Sequence, residues 1–462
     1  MSYISLNFYL LTALLVLLYY VFPLSKRWLV LLVGSAAFFF FADRQGIPAL
    51  CWMIVSAFLF GKAIRNSKRL LLPGIIVSVL PFWIHLVGDT LGREVPSFFL
   101  PLGLSYLSLQ AIGYLVDVSK GKCEPAGNVL KFALFLSFFP QVVQGPIPRY
   151  GKLAPQLVKG HKADEENFQK GFVRILLGLA LKFLIADRAG IPANTFYAEA
   201  GVYTGIYAWL GMVMFMVQLY ADFLGCVLLS IGTARLFGIE LQNNFNHPYS
   251  SRSTAEIWTR WHISLSLWLR DYIYFPLGGS RKGTFRKYLN LTAVFVVSAI
   301  WHGVSLTYLA WGLLTAGYQI IGELTFSFRE KLYQFCHIPD GIKSRIRQAV
   351  TALLFVLSSL LFRSYGFRAL LTNMRSLMQG SMRPEETGCL GLTAAEWVLL
   401  GIAVVCFGLF QHFSNKKNLE IPFFEKPWGF RYAVYLCLMV AILIFGTYGF
   451  GFDAGAFIYG GF

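Results

Sequence analysis

Two of the seven histidines occur in sequence contexts that favour chemistry, and the first is His302. It lies in VFVVSAIWHGV, where an ionisable ring interrupts an otherwise apolar run. An ionisable side chain inside a transmembrane segment is a candidate functional group. Because burial disfavours the charged imidazolium, we expect the ring to be neutral near pH 7 and able to accept a proton, as a general base must. The alternative is a core histidine that hydrogen-bonds to a neighbouring helix.

The second histidine, His262, lies in a segment that is too polar to face lipid. Ser253 or Thr254 followed by Glu256 predicts a helix start, and His262 is expected on the amphipathic helix that follows. Residues 251–288 hold two acids, Glu256 and Asp271, and seven cations: Arg252, Arg260, Arg270, Arg281, Lys282, Arg286 and Lys287. Such a segment lines a cavity or lies at the membrane interface.

This basic segment has two interpretations. In one, an interfacial helix is anchored to anionic lipid headgroups. In the other, cations bind a phosphate-bearing donor such as a coenzyme or the pantetheine of a carrier protein, and the candidates are Arg260, Arg270, Arg281 and Lys282.

The sequence offers no motif for a bound metal or a covalent nucleophile. It contains no HExxH, no CxxC and no GxSxG. The seven cysteines have no regular spacing, so we expect small buried apolar side chains rather than disulfides. We therefore expect no metal site and no tightly bound cofactor.

Membrane helices must position these residues. The chain has 462 residues, of which 56% are hydrophobic, 17% aromatic and only 14% charged, and its mean hydropathy is +0.58. Since a soluble chain is about one quarter charged, the soluble, secreted, disordered and nucleic-acid-binding classes are excluded. We predict an all-α polytopic membrane protein with a single domain, residues 1–462.

The apolar segments predict about eleven full crossings of the membrane. Segments such as 28–42 and 48–61 are short, so some elements should be tilted or re-entrant. Two further segments, 203–221 and 223–238, are separated by Asp222, the best acid within an apolar run.

The net charge of +17 indicates basic cytoplasmic loops that face anionic lipid, not nucleic acid. The early loops alternate between one set rich in lysine and arginine, as at 62–69, and another that carries acids, as at 89–94. The positive-inside rule therefore predicts an extracytoplasmic N-terminus in the plasma membrane.

Five stretches between about 100 and 304 resemble the membrane-bound O-acyltransferase superfamily, most closely its bacterial branch that O-acetylates polysaccharides such as alginate. They are LPLGLSYLSLQAIGYLVDV, FFPQVVQGPIPRYGKLAPQL, ARLFGIEL, NFNHPYSSRSTAEIWTRWHISLSLWLRDYIYFPLGGSR and IWHG. The run WTRWHISLSLWLRDYIYFPLGGSR is the most specific of these.

The resemblance implies that His302 is the leading catalytic residue and that His262 supports donor binding or structure. It implies a ring of helices around a thinned centre, with re-entrant or interfacial helices and a tunnel. A cytoplasmic acyl thioester, such as acetyl-coenzyme A, would there meet an extracytoplasmic acceptor. The candidate donor- and substrate-binding residues are Asn246, Arg260, Trp261, Arg270, Asp271, Arg281, Lys282 and Trp301.

The expected partners are membrane lipids, a polysaccharide acceptor, an acyl-accepting partner protein and an acyl carrier protein. One departure leaves the acceptor open. Where the bacterial branch reads DFSGYSDMAIG, this chain reads DFLGCVLLSIG, so that Cys226, Val227 and Leu228 replace Tyr, Ser and Asp. Transfer of D-alanine to teichoic acid is an alternative. A transporter or flippase of lipid-linked sugar is a third, although it should carry more acids at the midplane than Asp222.

The spacing of the two histidines favours a single base. If a helix begins near Arg286, His302 lies about 22 Å along it, well into a core of about 30 Å. His262 belongs to the basic segment, so the two rings need not form a close pair.

We predict that Ser280 faces the cytoplasm and Ser2 the outside, because of the charge asymmetry of the loops. A Ser2→Cys variant should therefore react with a membrane-impermeant maleimide added to intact cells. A Ser280→Cys variant should react only after permeabilisation, relative to the parent protein. Labelling of Ser280→Cys from outside intact cells would contradict this orientation.

Overall fold

The computed structural model describes residues 2–380, 388–417, 423 and 426–447, and these ranges contain helices and no strand. The all-α prediction is confirmed. The first part of the chain forms α1 Leu6–Val21, α2 Arg27–Ala42, α3 Ile47–Asn66, α4 Leu71–Ser78, α5 Leu80–Thr90, α6 Leu104–Ser119, α7 Val129–Ser137, α8 Tyr150–Lys159, α9 Glu165–Ala180, α10 Asp187–Ala198 and α11 Ile206–Arg235. A π-helix, Leu181–Ala186, joins α9 to α10.

The second part carries the polar segment and the helices that surround it. It forms α12 Thr254–Arg260, α13 Ile263–Leu269, a π-helix Arg270–Tyr274, α14 Thr284–His302, α15 Leu306–Leu324, α16 Phe326–Phe335, α17 Asp340–Arg363, α18 Gly366–Ser376, α19 Ala394–Lys417 and α20 Trp428–Phe445.

The chain is a multi-pass membrane protein. Within the described residues, seven helices are long and apolar enough to cross a bilayer, or eight if the bent pair Lys68–Ser78 and Leu80–Thr90 forms one broken span. The pair bends by 54°, which agrees with the expectation that some elements are re-entrant or broken. The expected number of about eleven crossings is not confirmed.

The helices form two compact units. The first contains the described residues up to 179 together with 225–243, and the second contains residues 180–224 and the described residues from 244 onward. The prediction of a single membrane domain over residues 1–462 stays a prediction. The helix α11 contributes residues to both units and is continuous over 30 residues, so the predicted break at Asp222 is wrong. The helix continues through Asp222 because Lys182 Nζ lies 2.9 Å from its carboxylate.

Glycines let α9 and the end of α11 approach closely in the first unit. A methyl group on Gly171 would come within 2.8 Å of the carbonyl oxygen of Gly232, and one on Gly178 within 2.8 Å of the carbonyl oxygen of Gly225. The two pairs indicate that the helices run antiparallel with their backbones in contact. Small residues at such positions are typical of helix packing in membranes.

In the second unit, α14 and α15 form an antiparallel pair and α17 packs against α15. Gly312 of α15 allows the close approach, since a methyl group there would come within 2.6 Å of the Phe295 carbonyl oxygen. Lys287 Nζ, at the start of α14, lies 2.6 Å from a Glu323 oxygen near the end of α15. The start of α14 therefore lies beside the end of α15. His302 lies at the other end of α14, away from this ion pair.

We predict that Gly178→Ala destabilises the protein. Its methyl group would clash with the Gly225 carbonyl and the Leu229 side chain, and overpacking of this kind costs about 1–3 kcal/mol. Gly408→Ala, on α19 with open space at the methyl position, is the matched control and should be neutral or stabilising. Thermal unfolding in detergent measures both, and equal melting temperatures for the two variants would contradict the packing argument.

Candidate active site

The polar segment folds into a helical hairpin whose tip is His262. The predicted helix start is confirmed: Ser253 Oγ accepts from the Glu256 N–H at 3.1 Å, and the Glu256 carboxylate accepts from the Arg252 N–H at 2.8 Å. This arrangement is close to a capping box, with the Glu256 carboxylate bonded one residue before the N-cap. The helix ends after seven residues, however, because the backbone of His262 is left-handed, with φ 44° and ψ 52°. The expected amphipathic helix through His262 is therefore wrong.

The hairpin has two arms, α12 before His262 and α13 with the π-helix Arg270–Tyr274 after it. Both arms contact the α14–α15 pair. The first arm, α12, places Trp258 against Phe295 of α14 and Trp311 of α15, at ring distances of 5.4 and 5.9 Å. After the π-helix, the carbonyl of Gly279 accepts a hydrogen bond from the Asn290 amide at 2.8 Å, near the start of α14. The chain thus returns towards the start of α14 once it has passed His262.

Two asparagines hold the tip of the hairpin. The backbone carbonyl of Asn244 accepts from the N–H of Ile263 at 2.9 Å, and its side-chain oxygen accepts from the N–H of Ser264 at 3.0 Å. The N–H of Asn246 donates to the Arg260 carbonyl at 2.9 Å. These bonds satisfy backbone groups that the reversal at His262 frees from helical pairing.

The ring of His262 is buried among aromatic side chains. It is 4% exposed, it meets the ring of Phe223 edge to face at 4.8 Å, and it lies 6.1 Å from the indole of Trp301. The neighbouring Trp261 is also buried, against Phe245 at 5.1 Å. His262, which the sequence places on a basic helix, is therefore the more buried of the two histidines.

The ring of His302 is half-buried and lies at the C-terminal end of α14, because α14 ends at this residue. This agrees with the expectation that His302 lies about 22 Å along a helix that begins near Arg286. Gly303 follows with φ 141°, and a methyl group there would come within 2.9 Å of the Tyr308 ring. Only glycine fits this close reversal.

Aromatic rings surround His302. Its ring lies 4.8 Å from Trp301, 5.6 Å from Trp311, 5.1 Å from Phe362 and 6.3 Å from Tyr308. Since Trp301 also contacts His262, one indole separates the two histidines, which lie closer together than their places in the sequence indicate. The arrangement offers two imidazoles among aromatic rings, with His262 buried and His302 half-buried.

The predicted donor-binding cations divide into two kinds. Arg260 pairs with Glu256 at 2.9 Å and Arg270 pairs with Asp271 at 3.0 Å, so both charges are already compensated. Arg281 and Lys282 are exposed just before the start of α14. They lie the length of this 19-residue helix, about 28 Å, from His302. Of the predicted site residues, the structure brings together Trp261, His262, Trp301 and His302.

Comparison with known proteins gives these residues a family context. A family model for MBOAT, the membrane-bound O-acyltransferase family, matches residues 126–348. The probable alginate O-acetylase AlgI of Pseudomonas syringae pv. tomato is 31% identical over 432 residues, which cover 87% of this chain and 80% of that protein.

The chain belongs to the membrane-bound O-acyltransferase family. The peptidoglycan O-acetyltransferase of Helicobacter pylori is 33% identical over 332 residues, 63% of this chain and 62% of that protein. The teichoic acid D-alanyltransferase of Bacillus subtilis is 26% identical over 319 residues, 64% of this chain and 79% of that protein. The predicted family and its acyltransferase character are confirmed.

Sequence reasoning missed a buried ion triad near His262. Lys182 Nζ lies 2.8 Å from Asp187 and 2.9 Å from Asp222, and all three side chains are buried. Asp222 directly precedes Phe223, whose ring packs on His262. A lysine within the apolar run LALKFLIAD was the available signal, because a buried lysine requires acidic partners.

The other missed residues are Asn244 and the aromatic side chains around His302, namely Tyr308, Trp311 and Phe362. Asn244 lies in the polar run NNFNHP, which marks it as a residue that bonds to backbone. Nothing in the sequence pairs Phe362 with His302, since 60 residues separate them and only the return of α17 brings them together.

We predict that Asn244→Ala loosens the hairpin tip. The N–H of the buried Ser264 would lose its acceptor, which costs about 1–3 kcal/mol, and His262 would lose its fixed position. The adjacent, exposed Asn243→Ala is the control and should behave like the wild type. Thermal unfolding and acyl-transfer rate measure the two effects, and wild-type values for both in Asn244→Ala would contradict this role.

Proposed function

We propose that this protein transfers an acyl group, in the first instance acetyl, from a thioester donor to a hydroxyl group. The acceptor is an extracytoplasmic polysaccharide or a partner protein that passes the group on. The observation that carries the proposal is the half-buried His302 in its aromatic surroundings, one indole away from His262. Membership of an acyltransferase family supports the reaction class.

In the proposed reaction, His302 acts as the general base. The neutral imidazole takes the proton of the acceptor hydroxyl as its oxygen attacks the thioester carbonyl carbon. The C–O bond of the new ester forms, the C–S bond breaks, and the proton passes from the imidazolium to the leaving thiolate. No covalent acyl-enzyme and no metal is needed to balance these steps.

The surroundings of His302 support this role. The four aromatic rings exclude bulk water, which limits hydrolysis of the thioester and strengthens polar interactions with the reacting atoms. His262 is held as a positioning or donor-binding group, since its ring is buried and its backbone is fixed by Asn244.

The donor phosphates are proposed to bind at the far end of α14. Arg281 and Lys282 are exposed there and form no ion pair with the described residues, unlike Arg260 and Arg270. A donor anchored by its phosphates at that end must extend an arm towards His302. Coenzyme A and the pantetheine of a carrier protein both have such an arm, so acetyl-coenzyme A and an acylated carrier protein are the two donors to test.

D-alanyl transfer from a carrier protein remains the second candidate. The teichoic acid D-alanyltransferase of Bacillus subtilis aligns over 79% of its own length with this chain. The same general-base step would serve a D-alanyl thioester, so only the identity of the acyl group distinguishes the two proposals.

We predict that His302→Ala abolishes acyl transfer and leaves membrane insertion intact. His302→Gln, which keeps size and hydrogen bonding but accepts no proton, should lose about as much activity, of the order of 10²- to 10⁴-fold or more. His262→Ala should be impaired less if its role is supporting. Single-turnover rates with purified protein, donor and acceptor measure these effects.

Thermal unfolding is the control, because each variant must retain the wild-type melting temperature for the comparison to count. Activity in His302→Gln near that of the wild type would reduce His302 to a positioning residue. Wild-type turnover in His302→Ala would refute the site assignment.

A further inference from the structure

The buried ions Lys182, Asp187 and Asp222, here called the lysine triad, lie where three elements of the second unit meet. Lys182 belongs to the π-helix Leu181–Ala186, Asp187 begins α10, and Asp222 lies in α11. Lys182 Nζ lies 2.8 Å from Asp187 and 2.9 Å from Asp222. One lysine therefore ties α11 to the π-helix and to the start of α10.

The π-helix is what brings Lys182 and Asp187 together. In an α-helix, side chains five residues apart point about 140° apart around the axis. In the π-helix the N–H of Asp187 bonds to the carbonyl of Lys182, so the two residues stack on one side. This backbone form is rare and occurs frequently at functional sites. Because apolar side chains of similar volume are often as stabilising as a buried ion pair, the lysine triad indicates a role beyond stability.

The residues on either side of Asp222 carry the tip of the hairpin. The ring of Phe223, the next residue, meets the His262 ring edge to face at 4.8 Å. The ring of Tyr220, two residues before Asp222, lies 5.7 Å from the indole of Trp261. The part of α11 that the lysine triad holds is therefore the wall against which the hairpin tip packs.

A rotation of α11 about its own axis would move these rings. A side chain lies about 5–6 Å from the axis of an α-helix, so a rotation of about 10° moves a ring by about 1 Å. A misplacement of about 1 Å in an active site can lower a rate by about 10²-fold. The bond from Lys182 to Asp222 resists such a rotation, because it fixes the direction of one side chain of the helix.

We propose that Asp222 is a positioning residue of the acyltransferase site. Its bond to Lys182 fixes the rotation of α11, and the ring of Phe223 in turn fixes the imidazole of His262. The proposal rests on the proposed acyl transfer, since the indole of Trp301 lies between His262 and the general base and contacts both.

Two matched variants separate positioning from stability. Asp222→Ala removes the carboxylate on α11, and Asp187→Ala removes the carboxylate on α10. In each variant Lys182 keeps one acidic partner, so we expect both proteins to fold and to lose similar stability. A third variant, Asp222→Asn, keeps the shape and one oxygen but not the charge, and it decides the question if Asp222→Ala unfolds.

The first measurement reports the surroundings of the His262 ring and needs no donor. Full-length protein in nanodiscs is labelled with carbon-13 at histidine Cε1, and the His262 signal is assigned by its loss in His262→Gln. The ring of Phe223 shifts the resonance of this carbon, so Phe223→Leu should move the signal. We expect Asp222→Ala to move it in the same direction, Asp222→Asn to move it less, and Asp187→Ala to leave it at the wild-type position.

The second measurement is the rate of acyl transfer in a strain without the gene. Each variant is induced there, and the initial rate at which ester-linked acyl groups appear on the envelope polysaccharide is divided by the amount of protein in the membrane. Asp222→Ala should be roughly 10- to 100-fold slower than the wild type. Asp187→Ala, at a similar melting temperature, should stay at least about tenfold faster than Asp222→Ala.

An unmoved His262 signal in the folded Asp222 variants would overturn the proposal, and so would an unmoved signal in Phe223→Leu. Equal rate losses in Asp222→Ala and Asp187→Ala would reduce the lysine triad to a stabilising element. If the His262 signal moves as expected but the wild type adds no ester groups, the proposed acyl transfer is refuted and the role of Asp222 in placing His262 stands.

Discussion

The left-handed backbone at His262 is the constraint on which the site depends. A helix that continued through this residue would keep the direction of α12 and would not return towards the start of α14. The reversal places Trp261 and His262 against aromatic rings of the second unit. The N–H groups of Ile263 and Ser264 donate to Asn244, and these bonds stabilise the reversal. A non-glycine residue in this conformation costs of order 1–3 kcal/mol and persists only where its surroundings fix it.

Buried charge is the second constraint, and acidic partners compensate the buried charge of Lys182. Lys182 is held by two carboxylates in the interior, and its contact with Asp222 allows α11 to continue past an acid. Loss of either partner of a buried pair is strongly destabilising, because the remaining charge is left without compensation.

Local sequence signals predicted the parts of the site that lie close together in the chain. The helix start at Ser253–Glu256 and the histidines themselves could be read from short motifs. The turn at His262 could not be read, since its acceptor Asn244 lies 18 residues earlier and the left-handed conformation is rare outside glycine. The contacts of Phe362 and of Lys182 depend on tertiary packing, so periodicity carries no information about them.

The central proposal is that this protein supplies, directly or through a partner protein, the acyl groups that are esterified to hydroxyl groups of an envelope polysaccharide. Mass analysis of that polysaccharide, from strains with and without the gene, tests it most directly. The account predicts that ester-linked acyl groups disappear without the gene and that the mass of the lost group identifies the transferred group as acetyl or D-alanyl. Restoration by the wild-type gene, but not by one encoding His302→Gln, completes the expected result. An unchanged ester content in the deletion strain would contradict the account.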